Sequence, residues 1–394
     1  MNPRNKFLQL ENNLNEYYIG DLLPVPRLLN LSILTGGPFF LHGEPGTGKS
    51  SIIRSYCLAF PSLSSFILSG SAFSEKSDLV GPKSIKEYRE TDKLVHNIEG
   101  TVVTEDLIFL DECLEIGEKV IKVLYPLMVE EEFPNGTEKH KTQWLLFVGG
   151  SNKKFRDLKE SSGFIDRFLL RHFLSSNLDS KQLQHIRKIN RERRLRGEKI
   201  PKLSEVSITR DEILQARKEL LNISISEFAN KAIESLFIRL KDRQRVISMR
   251  RWGLIDQVLQ ASAWLRGSEV VEEEDISSLI NVFAENPEDF ELFEKDINAC
   301  AYNPVAAARE LVRESEKIMK KVAQLDLSTK DGALKHSEYH TALAGIKREM
   351  VKLQESLRDR HKNPAVLNDY AEKINQSYAS ILGLVMTAQR NFRL

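Results

Sequence analysis

Residues 38–58 read Pro-Phe-Phe-Leu-His-Gly-Glu-Pro-Gly-Thr-Gly-Lys-Ser-Ser-Ile-Ile-Arg-Ser-Tyr-Cys-Leu. Their core, Gly43-Glu44-Pro45-Gly46-Thr47-Gly48-Lys49-Ser50, is a complete G-x4-G-K-[ST] phosphate loop, preceded by the apolar run Pro38 to Leu41 and followed by a helix-like stretch, Ser51 to Leu58. A chain that folds around phosphates must turn several backbone N–H groups inward, in conformations a Cβ-bearing residue adopts only at a cost. Gly43, Gly46 and Gly48 meet that demand. Lys49 is then placed to reach the β/γ-phosphates, the Ser50 hydroxyl to take a Mg²⁺ position, and the following helix to turn its positive end toward the anion. The strand–loop–helix context predicts a nucleoside-triphosphate site in a parallel α/β sheet.

A second segment supports this. Leu107-Ile108-Phe109-Leu110 is a short apolar run that ends in Asp111 and Glu112, the pattern of a buried parallel strand delivering two carboxylates to the carboxyl edge of a sheet. In such a Walker B strand Asp111 is expected to hold Mg²⁺ through water and Glu112 to polarise the attacking water. A third apolar run, Trp144 to Val148, leads through Gly149-Gly150-Ser151 to Asn152, at the tip of an expected strand beside Walker B, where it can orient the water. Downstream, Phe164-Ile165-Asp166-Arg167-Phe168 sets an arginine on an otherwise apolar segment. Taken alone, Asn152 reads equally as a turn residue and Arg167 as half of a surface pair with Asp166.

In this order the motifs resemble those of AAA+ ATPases, specifically the MoxR family, closest to its RavA branch. The resemblance is carried by Gly43 to Ser50, Asp78 to Ile85 (Asp-Leu-Val-Gly-Pro-Lys-Ser-Ile), Phe109 to Glu112, Glu132 to Gly136, Gly150 to Asn152, Asp166 to Arg171 and Ser248 to Trp252, and spans roughly residues 10–285. It implies that Asn152 is sensor 1, that Arg167 is an arginine finger acting on a neighbouring subunit's nucleotide, and that Arg250 is the sensor 2 arginine, acting in cis. Arg251 and Arg171 remain alternatives to the assigned arginines, because sequence alone does not separate them. ATP and Mg²⁺, a homo-oligomer in the form of a hexameric ring, and a von Willebrand type A domain partner are implied likewise. RavA-type proteins interrupt their C-terminal helices with a β-rich domain that contacts a decarboxylase. Residues 300–394 show no alternating strand pattern, so that partner is not expected. The chain carries no von Willebrand domain of its own: Asp326-Leu327-Ser328-Thr329-Lys330 departs from the metal motif at Lys330.

Two hairpins are expected. Asn135-Gly136 is a strong turn signal; Met128 to Phe133 and Gln143 to Val148 flank it, with Glu138 to Lys141 as a charged tip. Leu94 to Thr104, with Glu99-Gly100 as the turn, suggests the second. In related ATPases such hairpins face the central pore; edge decoration of the sheet is the alternative.

The 394 residues, 41% of them hydrophobic, can bury a large core in two or three domains. The expected divisions are an α/β nucleotide-binding core over 1–178, an all-α lid over 179–290 with apolar residues at helical spacing from Ile213 to Ala263, and a C-terminal helical bundle over 291–394 with stripes beginning near Pro304, Thr341 and Pro364. A formal net charge of +1 supplies no global field for nucleic acid. The basic run Arg187, Lys188, Arg191, Arg193, Arg194, Arg196, Lys199 and Lys202 is the feature that favours such a partner. It lacks interleaved aromatics, and a solvated linker helix between core and lid, or a subunit contact, is the favoured reading. Cys57, Cys113 and Cys300 are scattered, without metal spacing or a disulfide framework, which implies a reducing cytoplasm. No run is long enough to cross a bilayer, and Met1 to Leu10 is no secretory signal.

Overall fold

The computed structural model describes residues 2–153, 162–175, 180–197, 206–301, 304–325, 329–359 and 364–392. They fall into two compact units, Met1–Ile297 and Asn298–Leu394.

The first unit is built on seven strands and a short additional pair. They are β1 (Phe39–Gly43), β2 (Ser65–Ser69), β3 (Leu107–Asp111), β4 (Glu132–Asn135), β5 (Glu138–Lys141), β6 (Leu146–Ser151) and β7 (Leu170–Leu174), then β8 (Ser224–Ile225) and β9 (Val270–Val271). Five form one sheet in the order β2-β3-β6-β1-β7, all parallel. β1, β6 and β7 are buried along their whole lengths, Arg171 and His172 of β7 included. Each fully buried Phe or Leu side chain in these strands contributes about 1.5–3 kcal/mol. One face packs on Leu110, Leu114, Leu124, Leu127, Phe133, Phe164 and Phe168. Gly149 lets β6 approach this layer, because a Cβ there would lie 2.7 Å from the Phe168 ring. β6 lies between β3 and β1, so the ends of the Walker B strand, the Asn152 strand and the phosphate-loop strand are neighbours.

The helix Lys49–Cys57 follows the phosphate loop, with Ile52, Ile53 and Tyr56 buried. The helix Val25–Thr35 is buried along most of its length and stops at Gly36, whose φ of 73° is a left-handed C-terminal cap. Beyond β7 the fold is almost all helical: Ser180–Arg196, Arg210–Leu220, Glu227–Asp242, Met249–Trp252, Ile255–Arg266 and Pro287–Cys300, with β8 and β9 pairing in parallel over two residues. The predicted apolar stripe is split here. Ile213, Leu220, Leu236 and Leu240 are buried, whereas Leu214, Phe228 and Phe237 are exposed and Ala229 and Ala232 take the inner face.

The second unit contains the helices Pro304–Val322, Lys330–Asp359 and Asn368–Phe392. Leu311, Val312, Leu343, Ile346, Met350, Leu357, Ile374 and Ile381 form its core, as the stripes predict. The middle helix starts at Lys330, earlier than the expected Thr341. Residues 326–328 of the metal-like motif lie outside the described residues, as do Glu198, Lys199 and Lys202 of the basic run.

The hairpins correct two expectations. The first is shorter than expected: Asn135 pairs with Glu138, the loop is Gly136-Thr137, and Glu138 to Lys141 form the second strand instead of the tip. The Leu94–Thr104 segment is not a hairpin at all. Its first half pairs backward instead, with Ser84 N–H donating to Val95 O (2.8 Å) and Asn97 N–H to Pro82 O (2.8 Å). Its second half is turned in on itself by the Thr101 and Thr104 hydroxyls, which both donate to Ile98 O, and Val102 and Val103 are sunk in the core.

Candidate functional site

β1 delivers Gly43 to the carboxyl edge of the sheet, and the loop then turns through Gly46 (φ 82°) and Gly48 (φ 94°) into the helix that begins at Lys49. A Cβ on Gly43 would lie 2.8 Å from the Leu174 Cβ, so strand packing also demands glycine there. Thr47 Oγ1 donates to Glu44 O (2.8 Å) and braces the turn, while Glu44 and Pro45 are exposed at its mouth. Lys49 is buried and its Nζ donates to Gly43 O (2.7 Å) and Glu44 O (3.2 Å). Burial pushes its pKa below the usual lysine value, opposed by the charges of Glu112 and Asp111.

Across the loop, Ser50 Oγ donates to Asp111 Oδ2 at 2.5 Å. These hard oxygen donors, one hydroxyl and one carboxylate, suit a Mg²⁺ ion that keeps waters and phosphate oxygens as its remaining ligands. Gly150 of β6 gives Asp111 its room, since a Cβ there would sit 3.0 Å from Oδ1. Glu112 occupies left-handed backbone space (φ 48°), and its Oε2 accepts the Asn152 N–H (3.0 Å). Burial raises its pKa above that of an ordinary glutamate, while Lys49 and the Asn152 N–H pull the other way. Cys113 is buried directly after Glu112, and burial raises its thiol pKa so far that it offers no nucleophile.

Asn152 therefore sits beside Glu112, bound through its backbone, and among the described residues its carboxamide makes no hydrogen bond. Arg167 stands apart from this group. Its guanidinium lies over the Tyr125 ring, 3.6 Å from the centroid, and its Nη1 donates to Gly163 O. Sequence carried no sign of the Tyr125 contact, which joins residues 42 positions apart.

The neighbouring arginines separate by environment. Arg171 is fully buried on β7 and donates to Ile165 O through Nε (3.3 Å) and Nη2 (3.0 Å). Burial, then the nearby Arg251, lowers its pKa from the usual arginine value. Arg251 is also buried, with Nη2 on Asp166 Oδ1 (2.8 Å) and Nη1 on Glu285 Oε1 (3.0 Å). Arg250 is exposed and, among the described residues, makes no hydrogen bond or ion pair, so it is the member of the pair free to meet a ligand.

Sequence reading also missed the wall formed by the segment that follows the helix Pro3–Asn15. Leu22 Cδ1 lies 3.0 Å from where a Gly48 Cβ would be, and Tyr18 Oη hydrogen-bonds Ser51 Oγ (2.9 Å) and Ser55 Oγ (2.8 Å) on the phosphate-loop helix. His172 Nε2 meets Asp21 O (2.8 Å), which ties this wall to β7. The Gly20 turn (φ 63°) was the available signal. The basic helix Ser180–Arg196 exposes Arg187, Lys188, Arg191 and Arg194, with Glu192 among them.

Comparison with known proteins extends this picture. The family model for the MoxR domain of MoxR–vWA–β-propeller ternary systems matches residues 7–226, and that for an AAA lid domain matches residues 221–297. Two uncharacterized proteins of Methanocaldococcus jannaschii are similar: MJ0812 at 25% identity over 72% of this chain and 72% of its own length, and MJ0079 at 24% over 74% and 73%. A crystal structure from Cytophaga hutchinsonii, solved as a candidate ATPase, shares the fold, with a TM-score of 0.57, 19% identity and coverage of 76% of this chain and 95% of that one. Among the described residues no helix is long and apolar enough to cross a membrane.

Proposed function

The chain belongs to the MoxR family of AAA+ ATPases, and from that premise we propose that it hydrolyses ATP in an oligomeric, hexameric ring to remodel or assemble a partner protein in the cytoplasm. The observation that carries the catalytic part is the meeting of Lys49, Ser50, Asp111 and Glu112 at one sheet edge, with Ser50 and Asp111 in direct hydrogen-bond contact. The partner is a von Willebrand type A domain protein, as the ternary systems named by the matching family model suggest, with a β-propeller protein as third member. The RavA-like branch rests on the run of motifs alone.

Lys49 leaves the Gly43 and Glu44 carbonyls for the β/γ-phosphates, its loop hydrogen bonds holding it at the site until then. Ser50 and Asp111 would hold Mg²⁺, which when bound would neutralise charge on the phosphates. Glu112 takes the proton of the attacking water while the Asn152 N–H fixes its carboxylate, and the Asn152 carboxamide orients that water. Arg250 meets the γ-phosphate, and Arg167 leaves Tyr125 to act on the neighbouring subunit's nucleotide.

ATP turnover per subunit, followed against protein concentration with size analysis in ATP and ADP, tests the reading. Turnover that rises as rings assemble is expected. Concentration-independent turnover by a monomer would remove the shared site and leave a nucleotide switch.

A further inference from the structure

Two pairs of adjacent residues meet at one carboxylate. Asp166, which precedes Arg167, receives Arg251 Nη2 at 2.8 Å, Arg171 Nη2 at 3.7 Å and Ser248 Oγ at 3.5 Å, all on Oδ1. Ser248 is the N-cap of the short helix Met249–Trp252, its Oγ accepting the Arg251 N–H, and Arg250 is that helix's second residue. A single carboxylate oxygen therefore grips both the cap and the third residue of the helix that displays Arg250, while the next residue in its own chain is Arg167. Arg251 is buried and held on its other side by Glu285 at 3.0 Å and Phe283 O at 3.5 Å, so it moves only with its helical surroundings. Arg171, fully buried below, closes the cluster from the β7 side and anchors Ile165 O one residue before Asp166.

Resting on the finger and sensor reading above, we propose that Asp166 is a positioning residue that yokes Arg167 to Arg250 through Arg251, so that the placement of the helical region around residues 248–285 sets the geometry of the arginine offered to the neighbouring subunit. A yoke of this kind transmits a displacement because its contact is short: a charge-assisted bond at 2.8 Å between a buried guanidinium and a carboxylate loses its hydrogen-bond geometry when lengthened by an ångström. Coupling of this sort is typically worth about 5- to 150-fold.

The test uses mixed rings. Subunits with Glu112→Gln cannot turn over their own ATP but can lend Arg167; subunits with Arg167→Ala have an intact pocket but cannot lend. If mixing them restores no turnover, the finger assignment itself fails, and the yoke falls with it. If turnover is restored, Asp166→Asn is added to the lending subunit alone. A loss of roughly tenfold in kcat, with the KM for ATP and ring size unchanged, is the expected result. Restoration within about twofold of the unmodified mixture overturns the yoke, and so does a loss that tracks smaller rings or weaker nucleotide binding by the lending subunit, which assigns Asp166 to stability. Arg251→Lys in the lending subunit keeps the charge but loses the two-ended fork. It is expected to lower kcat in the same way, and it carries the test if Asp166→Asn does not fold.

Discussion

The pocket around Lys49 draws on two strand ends, β1 and β3, and the 61 positions between Ser50 and Asp111 are bridged by one 2.5 Å bond. The cluster around Asp166 draws on three separated segments, the stretch from Asp166 into β7, the helix capped by Ser248 and the stretch after residue 280, and holds them with buried guanidinium groups. In the first region each residue type follows from the chemistry of phosphate and has a place in a contiguous motif. In the second the charges are neutralised within the chain, and only Arg250, exposed, and Arg167, over Tyr125, are left to act outward. The contrast separates residues grouped at a sheet edge in the pattern of a phosphate site from a cluster of charges paired within the chain.

The largest expected effect lies between the two regions. Arg167→Ala should lower ATP turnover by about 10³ to 10⁵ while leaving ATP binding in place, measured by steady-state hydrolysis beside titration with a fluorescent nucleotide. Wild-type turnover in that variant would detach the arginine cluster from catalysis. Next in size, Glu112→Gln should lower turnover by about 10² to 10⁴ and still bind ATP. The pH profile sharpens this assignment. The base works ionised, and burial raises its pKa, so turnover is lost as pH falls through that raised value, on an acid limb above the ordinary glutamate range. The same shift means that ionising Glu112 opposes folding, so its contribution to stability declines as pH rises through that value. An acid limb at or below the ordinary value would point to another base.

Stability measurements should divide the regions the other way. Arg251→Met strands the Asp166 and Glu285 carboxylates and should cost about 1–3 kcal/mol in urea unfolding, discounted because both partners are partly solvated. Ser50→Ala, half-buried at the start of the phosphate-loop helix, loses its hydrogen bond to Asp111 and should cost no more than about 1 kcal/mol in unfolding yet weaken MgATP binding. Equal losses from both would erase the distinction between joint and pocket. The smallest effect is expected from ending the chain after Ile297. The helices beyond it bury their own core, so the shortened protein should bind MgATP within about twofold of the whole chain.

Much of the pocket could be read directly. The glycines of residues 43–48, Lys49, Ser50 and the Asp111-Glu112 pair are local signals whose spacing reflects the size of a phosphate, and the structure brings them together at one edge. The Asn152 strand was legible as a strand beside Walker B, although its hydrogen bond to Glu112 runs through the backbone, which no side-chain pattern reveals. Leu94–Thr104 misled because β-branched residues flanking Glu99-Gly100 mimic a hairpin, while the threonine hydroxyls and the free edge of residues 82–84 offered the backbone better partners. The lid stripe misled in part because alternating bulky and small residues let Ala229 and Ala232 take the inner face and left Phe228 outside.

What the sequence by itself determined is therefore the chemistry that depends on near neighbours: a phosphate loop, a carboxylate-ended strand, a run of parallel strands and helices, and three amphipathic helices at the end. Only the tertiary structure decided which of two adjacent arginines is buried and which is exposed. Arg250 and Arg251 are chemically identical in the sequence. They differ because a helical turn aims one at Asp166 and Glu285 and the other at solvent, and burial of a guanidinium is tolerated only where the fold has brought carboxylates from distant segments to meet it.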